Sequence, residues 1–352
     1  MPSLLRPFGW MLAACGLVAC GGGGGVGIES PAMAAIRGRG MLLCGVEGTM
    51  PGFSRVEKSG RYTGLDVDIC RATAAALLGD GEKVEFHNLS AGERFAALSS
   101  GQVDLLSRNT TLTLGRDATG GNGLSFGPIV FHDGQGFLVP RASGITHPDQ
   151  LRSKTLCVVT GTTTELNLAD WMRSKGIPYT ALKFQSHDQS YAAYLQGRCI
   201  AVTSNLALLA SRRSTFTNPS DHLLLAEVIS KEPNAPATRQ NDPALADAQR
   251  WIIYALMQAE EMGITRQNVP QKLAEAKADP NRAELRRFLG VDGDYGRALG
   301  LPADFVVRVV STVGNYGEIF DRNLGPASPL QLERGPNRLW KQGGLIISPP
   351  FR

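Results

Sequence analysis

A segment rich in hydroxyl and guanidinium groups, RNTTLTLGRD at residues 108–117, follows a short apolar stretch of the chain. The hydroxyls of Thr110 and Thr111 can surround an anion together with backbone N–H groups, and the fork of Arg116 can bind a carboxylate through two hydrogen bonds. Each such charge-assisted bond contributes about 1.5–3 kcal/mol. The segment predicts a carboxylate-binding loop, although a surface ion pair between Arg116 and Asp117 would use the same arginine.

A second hydroxyl-rich segment, TGTTTE at residues 160–165, stands where a strand would pass into a helix. Thr162 or Thr163 would cap that helix, and Glu165 would lie in its first turn. Helix N-termini also attract anions, so this loop is a candidate for the other side of the same site. Capping alone would account for these residues equally well.

Both loops need strands that end beside them, and the apolar pattern of the chain supplies such strands. In the first half we predict strands at residues 41–46, 84–86 and 103–107 and helices at 66–78 and 91–100. In the second half we predict strands at residues 155–159, 181–184 and 199–203 and helices at 163–174 and 188–196. This alternation is typical of α/β folds with a parallel sheet, where ligands bind outside the carboxyl ends of the strands.

Two α/β units of similar size predict two lobes with a ligand between them. The chain would cross between the lobes at residues 137–139 and 223–229. This assigns residues 40–136 and 230–352 to lobe 1, which includes a C-terminal extension, and residues 137–229 to lobe 2. Two crossings make a two-stranded hinge, about which the lobes can close.

Composition narrows the possible classes of function. Apolar residues form 43% and charged residues 19% of the 352-residue chain, which is a globular balance. The formal charge of +4 is small, and its Lys and Arg are scattered without interleaved aromatics, so we expect no nucleic-acid partner. The five histidines are dispersed and no two cysteines have Cys-x-x-Cys spacing, so we expect neither a metal nor another cofactor.

The N-terminus has the pattern of an export signal, with Arg6 before a short apolar run at residues 8–19. Residues 17–20 (LVAC) resemble the lipobox of bacterial lipoproteins, which predicts cleavage of residues 1–20 and lipidation of Cys20. Residues 21–39 would then form a flexible Gly-rich tether. Lipidation at Cys15 and plain secretory cleavage near Ala34 are the alternatives, and all three export the protein.

Four cysteines remain in the exported chain: Cys44, Cys70, Cys157 and Cys199. Export permits disulfides, and four cysteines allow three connectivities. Sequential pairing, Cys44 with Cys70 and Cys157 with Cys199, would place one disulfide in each half. Buried free thiols are the alternative.

Long strings distributed over residues 40–352 resemble the solute-binding proteins of polar and general L-amino-acid ABC transporters. They include GLDVD at 64–68, RFAAL at 94–98, GQVD at 101–104, RNTT at 108–111, DGQGF at 133–137, GTTTELNLAD at 161–170, ISKEP at 229–233, AEEMGIT at 259–265 and GNYGE at 314–318. The resemblance implies a periplasmic-binding-protein fold of the second type, without catalytic residues, and an ABC permease as partner.

The resemblance also assigns roles to single residues. Arg116 would hold the α-carboxylate of an amino acid, assisted by Asn109, Thr111 and Thr163. Met50 and Phe53 would form an apolar wall, and Glu47 would lie at its rim.

The position expected to pair with the ligand's ammonium departs from the family pattern. Asn205 stands where relatives have an aspartate that pairs with the ligand's α-ammonium, and an amide supplies no charge there. The sequence thus predicts an intact carboxylate end and a weakened ammonium end of the site.

The sequence therefore predicts a monomeric binding protein of the periplasm or cell envelope, attached to the membrane through its lipid. It would capture a small amino acid or related carboxylate by lobe closure. Two other functions fit the same fold. One is an exported cyclohexadienyl- or arogenate-type dehydratase, in which Glu47 or Glu165 would be the general acid. The other is a diverged paralogue that senses a ligand without feeding a permease.

Overall fold

The computed structural model describes residues 30–352, so Cys15, Cys20 and the predicted signal peptide lie outside the described residues. The helices are α1 (Pro31–Arg39), α2 (Leu65–Leu78), α3 (Arg94–Ser100), α4 (Leu114–Asp117), α5 (Thr163–Ser174), α6 (His187–Leu195), α7 (Leu206–Arg213), α8 (Pro243–Glu261), α9 (Val269–Ala278), α10 (Ala283–Phe288), α11 (Tyr295–Ala298), α12 (Phe305–Val313) and α13 (Tyr316–Asn323). The strands are β1 (Leu42–Val46), β2 (Thr49–Met50), β3 (Ser54–Val56), β4 (Tyr62–Thr63), β5 (Val84–Asn88), β6 (Leu105–Leu106), β7 (Leu124–Phe126), β8 (Phe131–Pro140), β9 (Thr155–Val159), β10 (Thr180–Phe184), β11 (Ala201–Asn205), β12 (His222–Leu224), β13 (Ser230–Asn234) and β14 (Ala237–Arg239).

Lobe 1 is built on a sheet of order β5-β1-β6-β14-β7. Strand β1 is parallel to β5 and β6, whereas β14 is antiparallel to its neighbours. Helix α2 packs against α8 and α12, and its small alanine side chains permit that close approach. Every residue of α2 except the last is buried. The helix ends at Gly79, whose φ of 75° suits glycine.

Lobe 2 repeats this architecture in a sheet of order β10-β9-β11-β8-β12. Strand β9 is parallel to β10 and β11, and β8 is antiparallel to β11. Helices α5 and α6 pack on these strands. The sheet buries its own apolar cluster, which includes Phe137, Val158 and Leu168. The α/β fold with two lobes predicted from the sequence is therefore confirmed.

Strands β8 and β13 join the two lobes as an antiparallel pair, with register from Phe131↔Asn234 to Gln135↔Ser230. The residues predicted as crossings lie further into lobe 2, where Phe137 belongs to the buried cluster and Leu223 pairs with Val139. A strand that crosses between the lobes and continues as an inner strand of lobe 2 is apolar where it is buried. The apolar sequence therefore predicts the crossing within lobe 2 instead of at the hinge. The lobe bounds at residues 136 and 230 stay a prediction.

The prediction of a flexible tether over residues 21–39 is wrong for its described part. Residues 31–39 form α1, capped by the Ser30 hydroxyl, which accepts from the Met33 N–H. Met33 and Ile36 are fully buried in the core of lobe 1, and the Asp242 carboxylate accepts from the Ala32 N–H at 3.0 Å. Cleavage near Ala34 would cut through this packed helix.

Two disulfides, Cys44–Cys70 and Cys157–Cys199, confirm the sequential pairing. The first joins β1 to α2 inside lobe 1, and the second joins β9 to the turn before β11 inside lobe 2. Across residues 30–352, no helix combines the length and the apolar character that a membrane span requires.

Candidate ligand-binding site

The segments at the carboxyl ends of β6, β9 and β11 meet between the lobes around a cavity of about 20 Å³. Its wall consists of Met50, Arg94, Arg108, Asn109, Thr111, Arg116, Thr162, Thr163, Thr164, His187, Ser204, Asn205 and Leu208. Six of the eight residues predicted to bind ligand are in this wall, namely Met50, Asn109, Thr111, Arg116, Thr163 and Asn205. The cavity therefore lies at the carboxyl ends of the strands, as expected for an α/β sheet.

The other two predicted residues lie nearby without lining this cavity. Phe53 is 1% exposed and packs edge-to-face on Phe131, with ring centroids 5.2 Å apart, so it belongs to the lobe 1 core. Glu47 faces lobe 2, where its Oε1 is 3.3 Å from His187 Nδ1 and 3.5 Å from Arg212 Nη2. Burial alone would raise the pKa of Glu47, but His187, Arg108 and Arg212 lower it to about 2.

Three buried guanidinium groups, those of Arg94, Arg108 and Arg116, line this one cavity. Arg116 is 7% exposed, donates to the Thr111 carbonyl at 2.7 Å, and lies 5.2 Å above the Phe95 ring. Burial lowers its pKa to about 10, although the negative charge of Glu232 opposes that change. Asp117 instead accepts from the Phe126 N–H, so the two neighbours serve different partners.

Arg94 is the clearest binding candidate that sequence reasoning missed. It is 3% exposed, and its Nη2 reaches the Gly161 carbonyl of lobe 2 at 3.4 Å. Burial and the charges of Arg108 and Arg116 lower its pKa well below the usual value. Within the described part of the chain, its buried Nε has no hydrogen-bond partner. A buried donor left without a partner costs free energy, which an anion in the cavity would recover.

The lobe 2 loop serves both as a helix cap and as a wall of the cavity. Thr162 is the N-cap of α5, and its hydroxyl accepts from the Glu165 N–H at 3.1 Å. Thr163 and Thr164 follow in the first turn, and all three threonines face the cavity. Glu165 turns away, because its carboxylate accepts from the Gly161 N–H and pairs with Lys183. The helix N-terminus thus points its positive end toward the site.

Asn109 and Asn205 meet across the cleft. Asn205 Nδ2 donates to Asn109 Oδ1 at 3.3 Å. Asn109 has a φ of 44°, a left-handed conformation that few non-glycine residues adopt. Asp66 holds it there by accepting the Asn109 N–H at 3.0 Å.

Glu232 of β13 is the second residue that sequence reasoning missed. It is fully buried, and its carboxylate accepts from Thr111 Oγ1 at 2.5 Å and from Thr163 Oγ1 at 2.6 Å. Its other oxygen accepts from Asn167 Nδ2 at 2.7 Å and from Ser230 Oγ at 2.8 Å. A hinge strand therefore brings one negative charge to the two threonines that line the cavity from opposite lobes.

Two α/β lobes, a two-stranded hinge and a polar cavity between the strand ends define a two-lobed solute-binding protein. The chain belongs to the bacterial extracellular solute-binding proteins, family 3, whose sequence model matches residues 42–268.

Its relatives include the putative amino-acid ABC transporter-binding protein YhdW of Escherichia coli K12, 43% identical over 90% of this chain and 92% of the relative. The general L-amino acid-binding periplasmic protein AapJ of Rhizobium johnstonii is 44% identical over the same shares. A solved periplasmic binding protein from Brucella ovis with glutathione bound is 44% identical with a TM-score of 0.87, covering 92% of this chain and 100% of that one.

Proposed function

We propose that this chain is the extracytoplasmic substrate-binding component of an amino-acid ABC transporter, which captures an α-amino acid or a small peptide by lobe closure. The observation that carries this proposal is the convergence of three buried guanidinium groups on one interlobe cavity. Names given to relatives that are 43% and 44% identical over most of their length support the amino-acid class.

The ligand's carboxylate is assigned to Arg116 and Arg94. Arg116 keeps one nitrogen on the Thr111 carbonyl, which leaves the rest of its fork for an anion. Arg94 adds the buried Nε. Positive charge from Arg108 and from the α5 N-terminus completes a strongly anion-attracting wall.

The size of the cavity supports lobe closure. Ligand sites usually have volumes of about 300–1,000 Å³, whereas this cavity measures about 20 Å³. Contacts between the lobes, such as Asn205 with Asn109 and Arg94 with Gly161, close it from both sides. A ligand therefore enters by separation of the lobes about β8 and β13, and closure brings both halves of the site onto it.

A second cavity gives the site room for a ligand longer than the smallest amino acids. It measures about 190 Å³ and shares Arg108 and His187 with the first. Glu47 and Asp188 make its wall polar. The Brucella ovis relative has a tripeptide, glutathione, bound, which supports testing peptides beside amino acids.

The chemistry of the candidate acids favours binding over catalysis. A general acid at neutral pH needs a raised pKa, whereas that of Glu47 is lowered to about 2. Glu165 is engaged by the Gly161 N–H and Lys183. The dehydratase alternative therefore lacks a suitable acid at either predicted position.

The remaining parts of the proposal concern location and partners. We assign the protein to the periplasm or cell envelope as a monomer, attached through a lipid on Cys20, where it delivers ligand to an ABC permease. The paralogue that senses without transport differs only in lacking that permease partner.

A thermal-shift screen of the standard amino acids, their 2-hydroxy analogues and glutathione tests this function. A ligand at 100 times its Kd stabilises the folded form by about 2.7 kcal/mol, which raises Tm by several degrees. We expect at least one α-amino acid or peptide to do so. The proposal fails if no amino acid or peptide in the set raises Tm.

A further inference from the structure

Glu232 uses the hydroxyl hydrogens of two cavity residues. A threonine hydroxyl has a single hydrogen and two lone pairs. Thr111 and Thr163 each direct that hydrogen to the same carboxylate oxygen, at 2.5 and 2.6 Å, because their other contacts are longer, 3.3 Å between the two hydroxyls and 3.5 Å from Thr111 Oγ1 to Asn234 Oδ1. Their lone pairs remain for the cavity, so these hydroxyls are disposed to accept hydrogen bonds from a ligand. A carboxylate cannot donate one, but an ammonium group can donate three.

The charges around the cavity are arranged in the same sense as these hydrogen bonds, with positive charge on one side and negative charge on the other. Arg94, Arg108 and Arg116 supply the positive side. Glu232 supplies negative charge at the hinge side, close enough to attract Arg116. Asn205, which lines the cavity from lobe 2, adds no charge. A zwitterion, with its carboxylate toward the arginines and its ammonium toward the two threonines, matches this arrangement, whereas a plain carboxylate matches only half of it.

We infer that Glu232 is the residue that makes the site prefer amines: acting through Thr111 and Thr163, it provides the hydrogen-bond acceptors and the counter-charge for the ligand's α-ammonium. This inference rests on the proposed function. The sequence predicts that the two threonines help to bind the ligand's carboxylate, whereas here they bind its ammonium group. Glu232 is a positioning residue, since its oxygens are already occupied by donors from the protein.

The test compares ligands that differ only at the amine. L-Glutamate and L-2-hydroxyglutarate, and L-alanine and L-lactate, are titrated calorimetrically, together with any other amino acid from the screen and its hydroxy analogue. Wild type should prefer the amine in each pair that binds. In Glu232→Gln, which is isosteric but neutral, the ratio of the two affinities should fall at least about tenfold. Glu284→Gln, which removes the same charge from an exposed position on α10, should leave the ratio unchanged.

A second pair of variants keeps the test independent of folding at the hinge. Thr163 is half-buried at a helix N-terminus, so Thr163→Val and Thr163→Ser should both fold. Valine, which lacks the hydroxyl, should weaken the amine about tenfold more than the hydroxy acid, and serine should preserve the wild-type ratio.

Equal losses of both ligands in Glu232→Gln and in Thr163→Val would overturn the inference, because the threonines would then serve the carboxylate. Tighter binding of both ligands by Glu232→Gln would also overturn it, because Glu232 would then compete with the ligand's carboxylate for the hydroxyls of Thr111 and Thr163. If wild type binds neither an amino acid nor a peptide, the proposed function itself has failed, which is a distinguishable result.

Discussion

Replacing Arg116 by methionine should separate binding from folding. Burial holds the pKa of Arg116 at about 10 instead of 12.5, so the folded protein disfavours its charged form by about 3 kcal/mol at neutral pH. The hydrogen bond to Thr111 and the contact with Phe95 offset about 1–2 kcal/mol of this cost. We therefore expect Arg116→Met to raise the free energy of unfolding without ligand by about 1–2 kcal/mol.

Ligand binding should change in the opposite direction. Truncating one partner of a buried charged pair costs about 2–5 kcal/mol, which corresponds to at least about thirtyfold weaker binding. Urea unfolding, with and without the amino acid that gives the largest thermal shift, measures both effects. Arg55→Met is the matched control, because Arg55 is exposed on β3. A less stable Arg116→Met that still binds would show that Arg116 is structural and refute the assignment.

Stability should fall as pH rises from about 4 to about 7, because burial raises the pKa of Asp66 and of Asp133 from 3.8 to about 7. The folded state then holds protons that the unfolded chain has released, and Asp133→Asn should make the fall shallower by up to about 1.4 kcal/mol per pH unit. In acid the sign reverses, because the folded pKa of Glu47 is about 2 instead of 4.5, so its stabilisation is lost as pH falls toward 2. Urea midpoints across this range measure both limbs, and a flat profile contradicts both. Cys20→Ser should move the exported protein from the membrane pellet to the soluble fraction, and wild type already in the soluble fraction would refute the lipid anchor.

The sequence predicts the fold well because each lobe has strong local signals. The observed bounds of helix α2 agree with the predicted ones to within one residue, and those of β9 are the same as predicted. Shorter strands are less well predicted, since 103–107 reduces to β6 at Leu105–Leu106. There the backbone of Asp104 and Ser107 bonds to β1 as well, but only the central residues keep ladder geometry.

Two site residues escape local reasoning for different reasons. Arg94 begins a short helix, where an arginine is ordinarily exposed, and its burial involves contacts that are distant in sequence, such as the one with Gly161 of lobe 2. Glu232 lies in a polar stretch, SKEPN, without apolar alternation. Glu232 reaches the site because β13 pairs with β8, a contact between residues about 100 positions apart in the sequence. Thr111 and Arg116 could be predicted because the local sequence around them, RNTTLTLGRD, is unusually rich in hydroxyl and guanidinium groups.

The disulfide connectivity has a consequence for the order in which an exported chain is oxidised. Secretion delivers the N-terminus first, and each disulfide joins a cysteine to the next one along the chain, with separations of 26 and 42 residues. Cys44 can meet Cys70 before Cys157 leaves the membrane channel, so each correct partner is also the first one available. Delivery in this order therefore favours the native pairing even before α8 and α12 complete the core of lobe 1.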